Sequence, residues 1–279
     1  MTIAPPGGTE QGLRRLVTGA RSRRIIAVPR PLRRLSGPIA LFVLWWLLTS
    51  SRQVTPSSFP RIGEVLDTGV SMVRSGELQS AIWASGRRVL IGLSIGVSCG
   101  LLVAIAAGIT RRGEDLIDST MQVFKAIPSF SLVPLLIIWL GIYEGPKIVL
   151  IALSAAMPIY INTYGGIRNV DDRLVEAGRT LGLNRLALIR HIVVPGALPS
   201  FLTGLRFSFA NVWLALVVAE QINANSGLGL LLADGRSSFR LDIIVLVVVI
   251  YAMLGLLSYA FVRLLERRLL QWRRGFEGE

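Results

Sequence analysis

Charge is scarce in this 279-residue chain and unevenly signed. Charged residues make up 17%, with 30 Lys+Arg against 17 Asp+Glu, a net charge of +13. The single cysteine, Cys99, excludes an internal disulfide and with it a disulfide-stapled secreted module. With His191 as the only histidine, a His/Cys metal cluster is excluded as well. The only lysines, Lys125 and Lys147, are followed by Ala126 and Ile148. No glycine-rich phosphate loop ending in Lys-Ser/Thr is therefore present, and the chain is no P-loop ATPase by itself. A Gly-x-Ser-x-Gly elbow is also missing. His191 lies in the basic stretch Arg190-His191-Ile192 and reads as a surface residue. Cys99, inside a long apolar run, reads as helix packing rather than as a nucleophile. A hydrophobic content of 52% excludes a disordered tail. Basicity alone leaves nucleic acid open, so the placement of the charges has to decide.

The charges sit between long uncharged runs. These are residues 35–51, 89–110, 126–143, 148–167 and 243–262, of 17, 22, 18, 20 and 20 residues. A helix crossing a bilayer needs roughly 17–25 predominantly apolar residues, so all five qualify. A sixth run, Phe207–Ala219, has only 13 residues. It must extend backward through Phe201-Leu-Thr-Gly-Leu205 and take Arg206 along to reach the ~30 Å required. Six transmembrane helices and an all-α membrane fold are expected. No ionisable pair lies inside the five clean runs, which supports movement across the membrane over catalysis within it. No catalytic residue is assigned.

Basic residues set the orientation. With the N-terminus in the cytoplasm, the inside segments 1–34, 111–125, 168–206 and 263–279 hold 22 Lys/Arg and the outside segments hold 8. Without the first run as a passage the split becomes 16 against 14, which is no signal. The rule therefore supports residues 35–51 as a span and places both termini in the cytoplasm. A rival reading treats the basic start and short apolar core Ile39–Leu48 as a cleaved signal peptide, although only Thr49-Ser50-Ser51 follows it. Residues 1–34 read as a basic cytoplasmic tail held near anionic lipid. Residues 52–77 read as an extracytoplasmic connection, 78–265 as the core, and 266–279 as a C-terminal cytoplasmic tail. The inside segments carry a net charge of +12 and the outside ones +1, so the basicity is an orientation signal and not evidence for nucleic acid.

The inside loop 168–199 reads as helix, break, helix, stop. Asp171 or Asp172 can cap the first helix. Leu174, Ala177 and Leu181 share a face, and Gly182 can take the left-handed cap conformation. Asn184 can cap the second helix, with Leu186, Ile189 and Val193 on its apolar side. Pro195 and Pro199 then punctuate the return to the membrane. Such an amphipathic helix suits insertion into a partner's groove, and equally suits lying on lipid.

This loop resembles the signature of importer-type ABC transporter permeases: Glu-Ala-Ala, three residues, Gly, nine residues, Ile-x-Leu-Pro. Here it stands as Glu176-Ala177-Gly178, Gly182 and Ile192-Val193-Val194-Pro195. Gly178 replaces the second Ala and Val194 replaces Leu. Gly costs about 1 kcal/mol against Ala in a helix, so the coupling helix is expected to be less rigid. The resemblance runs over roughly residues 78–273. Ala126-Ile-Pro128, Leu132-Val-Pro134, Trp139–Lys147, Gly204-Leu-Arg206, Ala219–Gly229, Glu266 and Trp272 look like segments of the sulfonate, taurine and nitrate permeases.

The resemblance implies the type I importer architecture in the bacterial plasma (inner) membrane. It also implies partners: a second permease copy, two cytoplasmic ATPases that use ATP and Mg, and an extracytoplasmic substrate-binding protein. The chain itself would bind no cofactor. Glu176, Ala177, Gly178, Gly182, Ile192 and Pro195 would couple it to the ATPase. Glu176 would pair with basic groups there, and Gly182 would allow the turn. Arg206, Asn211, Trp213 and Glu220, on the fifth span, are candidates for the transport path, with snorkelling to the interface as the other reading of Arg206. Arg87 and Arg88, at the outer mouth of the second span, would attract an anion or anchor the helix at the headgroups. Gly92, Gly96 and Gly100 read as a tight-packing stripe. The expected cargo is a small anion, an aliphatic sulfonate or taurine ahead of nitrate. A thiamine-pyrimidine precursor is an alternative, and a membrane-embedded enzyme or passive channel is the reading from another class.

Overall fold

The computed structural model describes residues 37, 39–40, 43–49, 60–223 and 225–272, and every regular element among them is helical. The expected tail 1–34 lies outside the described residues, as do 52–59 of the first connection and 273–279 of the C-terminal tail. The chain divides into two units, residues 1–51 and 52–279. In the first, residues 37, 39–40 and 43–49 are helical, and the Thr49 hydroxyl donates back to the Trp45 carbonyl at 2.9 Å. Ile39, Leu44, Trp46 and Leu47 are exposed, and this segment is not among the described helices long and apolar enough to cross a membrane.

In the second unit the described helices are α1 (Ile62–Arg74), α2 (Glu77–Ile109), α3 (Arg111–Ala126), α4 (Ser129–Leu140) and α5 (Glu144–Arg168). They continue as α6 (Asp172–Thr180), α7 (Arg185–Ile222), α8 (Leu228–Ser237) and α9 (Leu241–Leu269). Four of them, α2, α5, α7 and α9, are long and apolar enough to cross a membrane. The shortest, α5 with 25 residues, reaches about 38 Å at ~1.5 Å per residue, beyond the ~30 Å hydrocarbon core. The fifth expected span extends backward through Phe201 and Arg206, as its short uncharged run required, and does so within one 38-residue helix.

The run 126–143 departs from the expectation of one straight span. It is broken after α3, and α3 and α4 meet at 83°. The cause is local. Pro128 disfavours the helical region for the residue before it, and Ile127 is extended at φ −85°, ψ 119°. At the other end Gly141, at φ +77°, stops α4. The twelve residues of α4 reach only about 18 Å. The bent pair counts as a fifth passage only if taken together.

The core is centred on α5, which packs against both α2 and α7. Gly92, Gly96 and Gly100 face α5 so closely that a Cβ would overlap Ile151, the Ala152 carbonyl and the Ala156 carbonyl in turn. The four-residue repeat is therefore a helix-contact stripe. Val89, Leu93, Leu150, Ile151, Val212 and Leu216 close the core between the three helices. The segment read as a bare connection carries α1, whose Thr68 donates to Asp242 at 2.6 Å and whose Met72 packs with Leu228 and Val247. Little of α9 is buried, and Val248, Met253, Leu256 and Leu257 are exposed. Cys99 is also exposed, so its expected packing role is not realised.

Candidate functional site

The loop between α5 and α7 is ordered by local hydrogen bonds. Asp171 is the residue that caps α6, its carboxylate accepting from the Arg173 amide at 2.9 Å. At the other end Gly182 takes φ +81° and the Leu183 amide donates to the Gly178 carbonyl at 3.0 Å. This is the glycine-terminated helix stop that the spacing called for. Asn184 caps the next helix through the Ala187 amide at 2.9 Å. The expected stop at Pro195 and Pro199 does not occur. A π-turn at Ile189–Val193 lets the Val194 amide bond to the Ile189 carbonyl, one residue wider than α-helical spacing. Pro195 then falls at the start of the following α-helical segment, where its missing N–H is harmless, and Pro199 is carried inside the span.

The two ends of the motif meet. Gly178 is the buried residue of α6, and a Cβ there would run into the tips of Leu188 and Ile192. Ile192 and Pro195 are half-buried. Glu176, Ala177, Leu174 and Leu181 are exposed. The helix is thus anchored through its glycine and presents a carboxylate and an apolar edge to its surroundings. His191 is exposed beside it, with Nδ1 2.9 Å from the Ala187 carbonyl.

At the opposite ends of the spans the structure assembles an ion cluster that the linear reading missed. Arg88, at the start of the second run, is only 5% exposed. Its Nε and Nη2 donate to Glu144 at 2.6 and 2.9 Å, and its Nη1 donates to Glu220 at 2.6 Å. The Ser226 carbonyl and hydroxyl take the remaining donors at 2.7 and 3.3 Å. All five guanidinium donors are therefore engaged. Glu220 also accepts from Ser85 at 2.8 Å and from the Gly229 amide at 2.7 Å. Lys147 donates to Glu144 at 3.2 Å, which completes a neutral set of two cations and two carboxylates. Gly227, at φ +123°, lets the backbone wrap this group, since a Cβ there would strike Glu220 and Arg88. Arg88 is consequently a tie between helices and has no donor left for a passing anion, whereas Arg87 is exposed. One signal was available in the sequence: Arg88, Glu144, Lys147 and Glu220 each end an apolar run on the same side.

The four transport-path candidates separate. Glu220 belongs to the cluster just described. Arg206 pairs with Glu266 at 2.5 Å and lies over the Tyr259 ring at 5.4 Å. Trp213 donates to Ser258 at 3.1 Å and lines a cavity of about 170 Å³ together with Arg206. Asn211 faces a different cavity, of about 240 Å³, shared with Ser129, Phe130, Ser154 and Met157. The buried Ser154 hydroxyl there has no protein partner. Among the described residues no group of His, Cys, Asp and Glu is arranged to hold a metal.

Residues 96–271 match the family described as "Binding-protein-dependent transport system inner membrane component". The chain is 41% identical over 239 residues to the aliphatic sulfonates transport permease protein SsuC of Escherichia coli (strain K12), covering 86% of this chain and 91% of that one. It is 36% identical over 241 residues to the SsuC protein of Bacillus subtilis (strain 168), covering 86% and 87%. Among solved structures, an inward-facing form of the MetNI methionine ABC transporter superposes with a TM-score of 0.59 at 18% identity, over 69% of this chain and 95% of that one. That likeness concerns the fold.

Proposed function

We infer function from family membership: the chain belongs to the binding-protein-dependent transport system inner membrane components. As such it is an ABC importer permease, a transport subunit rather than an enzyme. In our reading it pairs with a second copy of itself in the bacterial plasma membrane, with six passages per copy and both termini in the cytoplasm. Two ABC ATPases then bind at the coupling loops and consume ATP with Mg, and an extracytoplasmic binding protein delivers the cargo.

The observation that carries this reading is the anchoring of α6. Gly178 and Ile192 lock the helix to the start of α7 while Glu176 and Ala177 point outward. A push on α6 is therefore transmitted to α7 through its π-turn at Ile189–Val193, and α7 is α-helical from Val194 past Glu220. Closure of the ATPase pair would swing the span and alternate access between the two sides. Glu176, Ala177, Gly178, Gly182, Ile192 and Pro195 form the coupling set, and an exposed carboxylate at 176 suits a basic rim on the ATPase. For the transport path, Asn211 beside Ser154 offers hydrogen-bonding groups inside a cavity, and Arg206 and Trp213 line a second one.

The cargo is a small anion, an aliphatic sulfonate with taurine among them, ahead of nitrate. Support comes from the aliphatic-sulfonate names of the relatives. Two measurements test the reading. Purified from membranes in mild detergent, the chain should bring down a Walker-motif ATPase. Reconstituted with that ATPase and the binding protein, it should accumulate an alkanesulfonate only with MgATP. Uptake that proceeds without the ATPase would make the chain a passive channel. Tight binding of a pyrimidine instead of a sulfonate by the binding protein would move the cargo to a neutral heterocycle.

A further inference from the structure

Behind the coupling helix lies a cavity that neither coupling nor passage of cargo uses. Its volume is about 410 Å³, and Arg111, Arg168, Arg179 and Arg185 line it together with Asp172. Asp172, Val175 and Arg179 recur at three- and four-residue spacing, so one edge of α6 faces this cavity. Leu174, Ala177 and Leu181 lie along another edge. Arg168 is bridged to Glu114 at 2.7 Å. Four guanidinium groups therefore meet two carboxylates, and the cavity keeps an excess of positive charge.

The basic cavity adjoins an apolar one. A second cavity, of about 260 Å³, shares Ile109, Ile167, Ile189 and Val193 with it. Three helices line this second space with stripes at helical spacing. From α2 come Leu101, Ile105 and Ile109, from α5 come Thr163 and Ile167, and from α7 come Val193, Ala197 and Phe201. The stripe on α2 is about 12 Å long at ~1.5 Å per residue. The walls of this space are apolar, Thr163 included, whose hydroxyl is enclosed within the wall.

We propose that the two adjoining cavities together bind one anionic phospholipid from the leaflet on the coupling-loop side. The phosphate sits among Arg111, Arg179 and Arg185. An acyl chain follows the α2 and α7 stripes toward Leu101 and Phe201. The order of charge and apolar groove along the helices matches the order of phosphate and chain in the lipid. Because α6 and the start of α7 form two walls of the site, the lipid braces the coupling helix from behind.

The test uses the full-length chain in neutral detergent, delipidated and then titrated with dioleoylphosphatidylglycerol or dioleoylphosphatidylcholine, with bound lipid counted by native mass spectrometry. Wild type should retain the phosphatidylglycerol about tenfold better. Arg111→Gln with Arg179→Gln should bring that preference to within about twofold. Arg267→Gln, an exposed arginine outside the site, should leave it unchanged. Equal retention of the two lipids by wild type overturns the proposal. It also falls if the preference survives the double substitution, including the case where that variant loses only capture of the ATPase, because the pocket then belongs to that partner. A matching loss in Arg267→Gln would reduce the effect to diffuse surface charge. Competition by glycerol phosphate as strong as by the intact lipid would make it a free-anion site.

Discussion

The two polar regions at opposite ends of the spans are built from similar residues and use them in opposite ways. In the ion cluster, Arg88, Glu144, Lys147 and Glu220 satisfy one another, and every donor of Arg88 is engaged. In the loop between α5 and α7, backbone ends are capped by Asp171, Gly182 and Asn184, but Glu176 and the apolar edge Leu174/Ala177/Leu181 remain exposed. A closed set of charges ties helices together. An ordered backbone carrying exposed side chains is prepared for a partner. The difference lies in satisfaction, not composition, since both regions hold Arg and Glu.

Substitutions can break this contrast. The largest effect is expected at Glu220→Ala, which leaves Arg88 buried beside one carboxylate too few. Breaking a buried pair costs about 3–5 kcal/mol, and the loss should show as a large drop in the melting midpoint of the purified chain. An unchanged midpoint would mean that the cluster does not hold these helix ends together. Next comes Gly182→Val. A β-branched residue at φ +81° costs roughly 1–2 kcal/mol, and the reconstituted complex should hydrolyse ATP without matching transport. Normal transport by this variant would remove Gly182 from the coupling set. Asp171→Ala removes a helix cap worth about 1 kcal/mol. Its expected signature is faster amide exchange confined to α6, and uniform exchange throughout the loop would contradict the capping role. The smallest effect on stability belongs to Glu176→Lys. Its melting should match wild type while capture of the ATPase weakens. If stability falls instead, the exposed carboxylate is part of the fold and the contrast between the two regions fails.

Much of the coupling loop was legible in the sequence. Caps and glycine stops act over three or four residues, so Asp171, Asn184 and Gly182 carry their roles in their immediate neighbours. The prolines were misread. Pro128 breaks the third run, which its length and apolarity read as one span, by keeping Ile127 out of the helical region. Pro195 did not stop the helix, because a π-turn absorbed it and the packing of Ile192 on Gly178 favoured continuation. The transport-path candidates were chosen for polarity along one span. That criterion placed Glu220 with Asn211, although one is buried in a salt bridge with Arg88 and the other lines a cavity. The spare charge of the basic cavity was invisible for the same reason, since Arg111, Arg168, Arg179 and Arg185 come from four separate elements or their ends.

Read by itself, the sequence determined which segments are apolar enough to enter a membrane and on which side the basic loops gather. It also marked the glycine stop of α6 and the cap at Asn184, with Asp171 and Asp172 both open for the first cap. Each of these follows from composition or from forces between residues a few positions apart. Tertiary structure alone decided that Arg88 meets Glu220 across 132 positions of sequence, that Gly178 seats Ile192, and that four arginines share one cavity. Those pairings depend on how α2, α5 and α7 lie against one another. That arrangement is set by close packing of whole helices, which no short stretch of sequence contains.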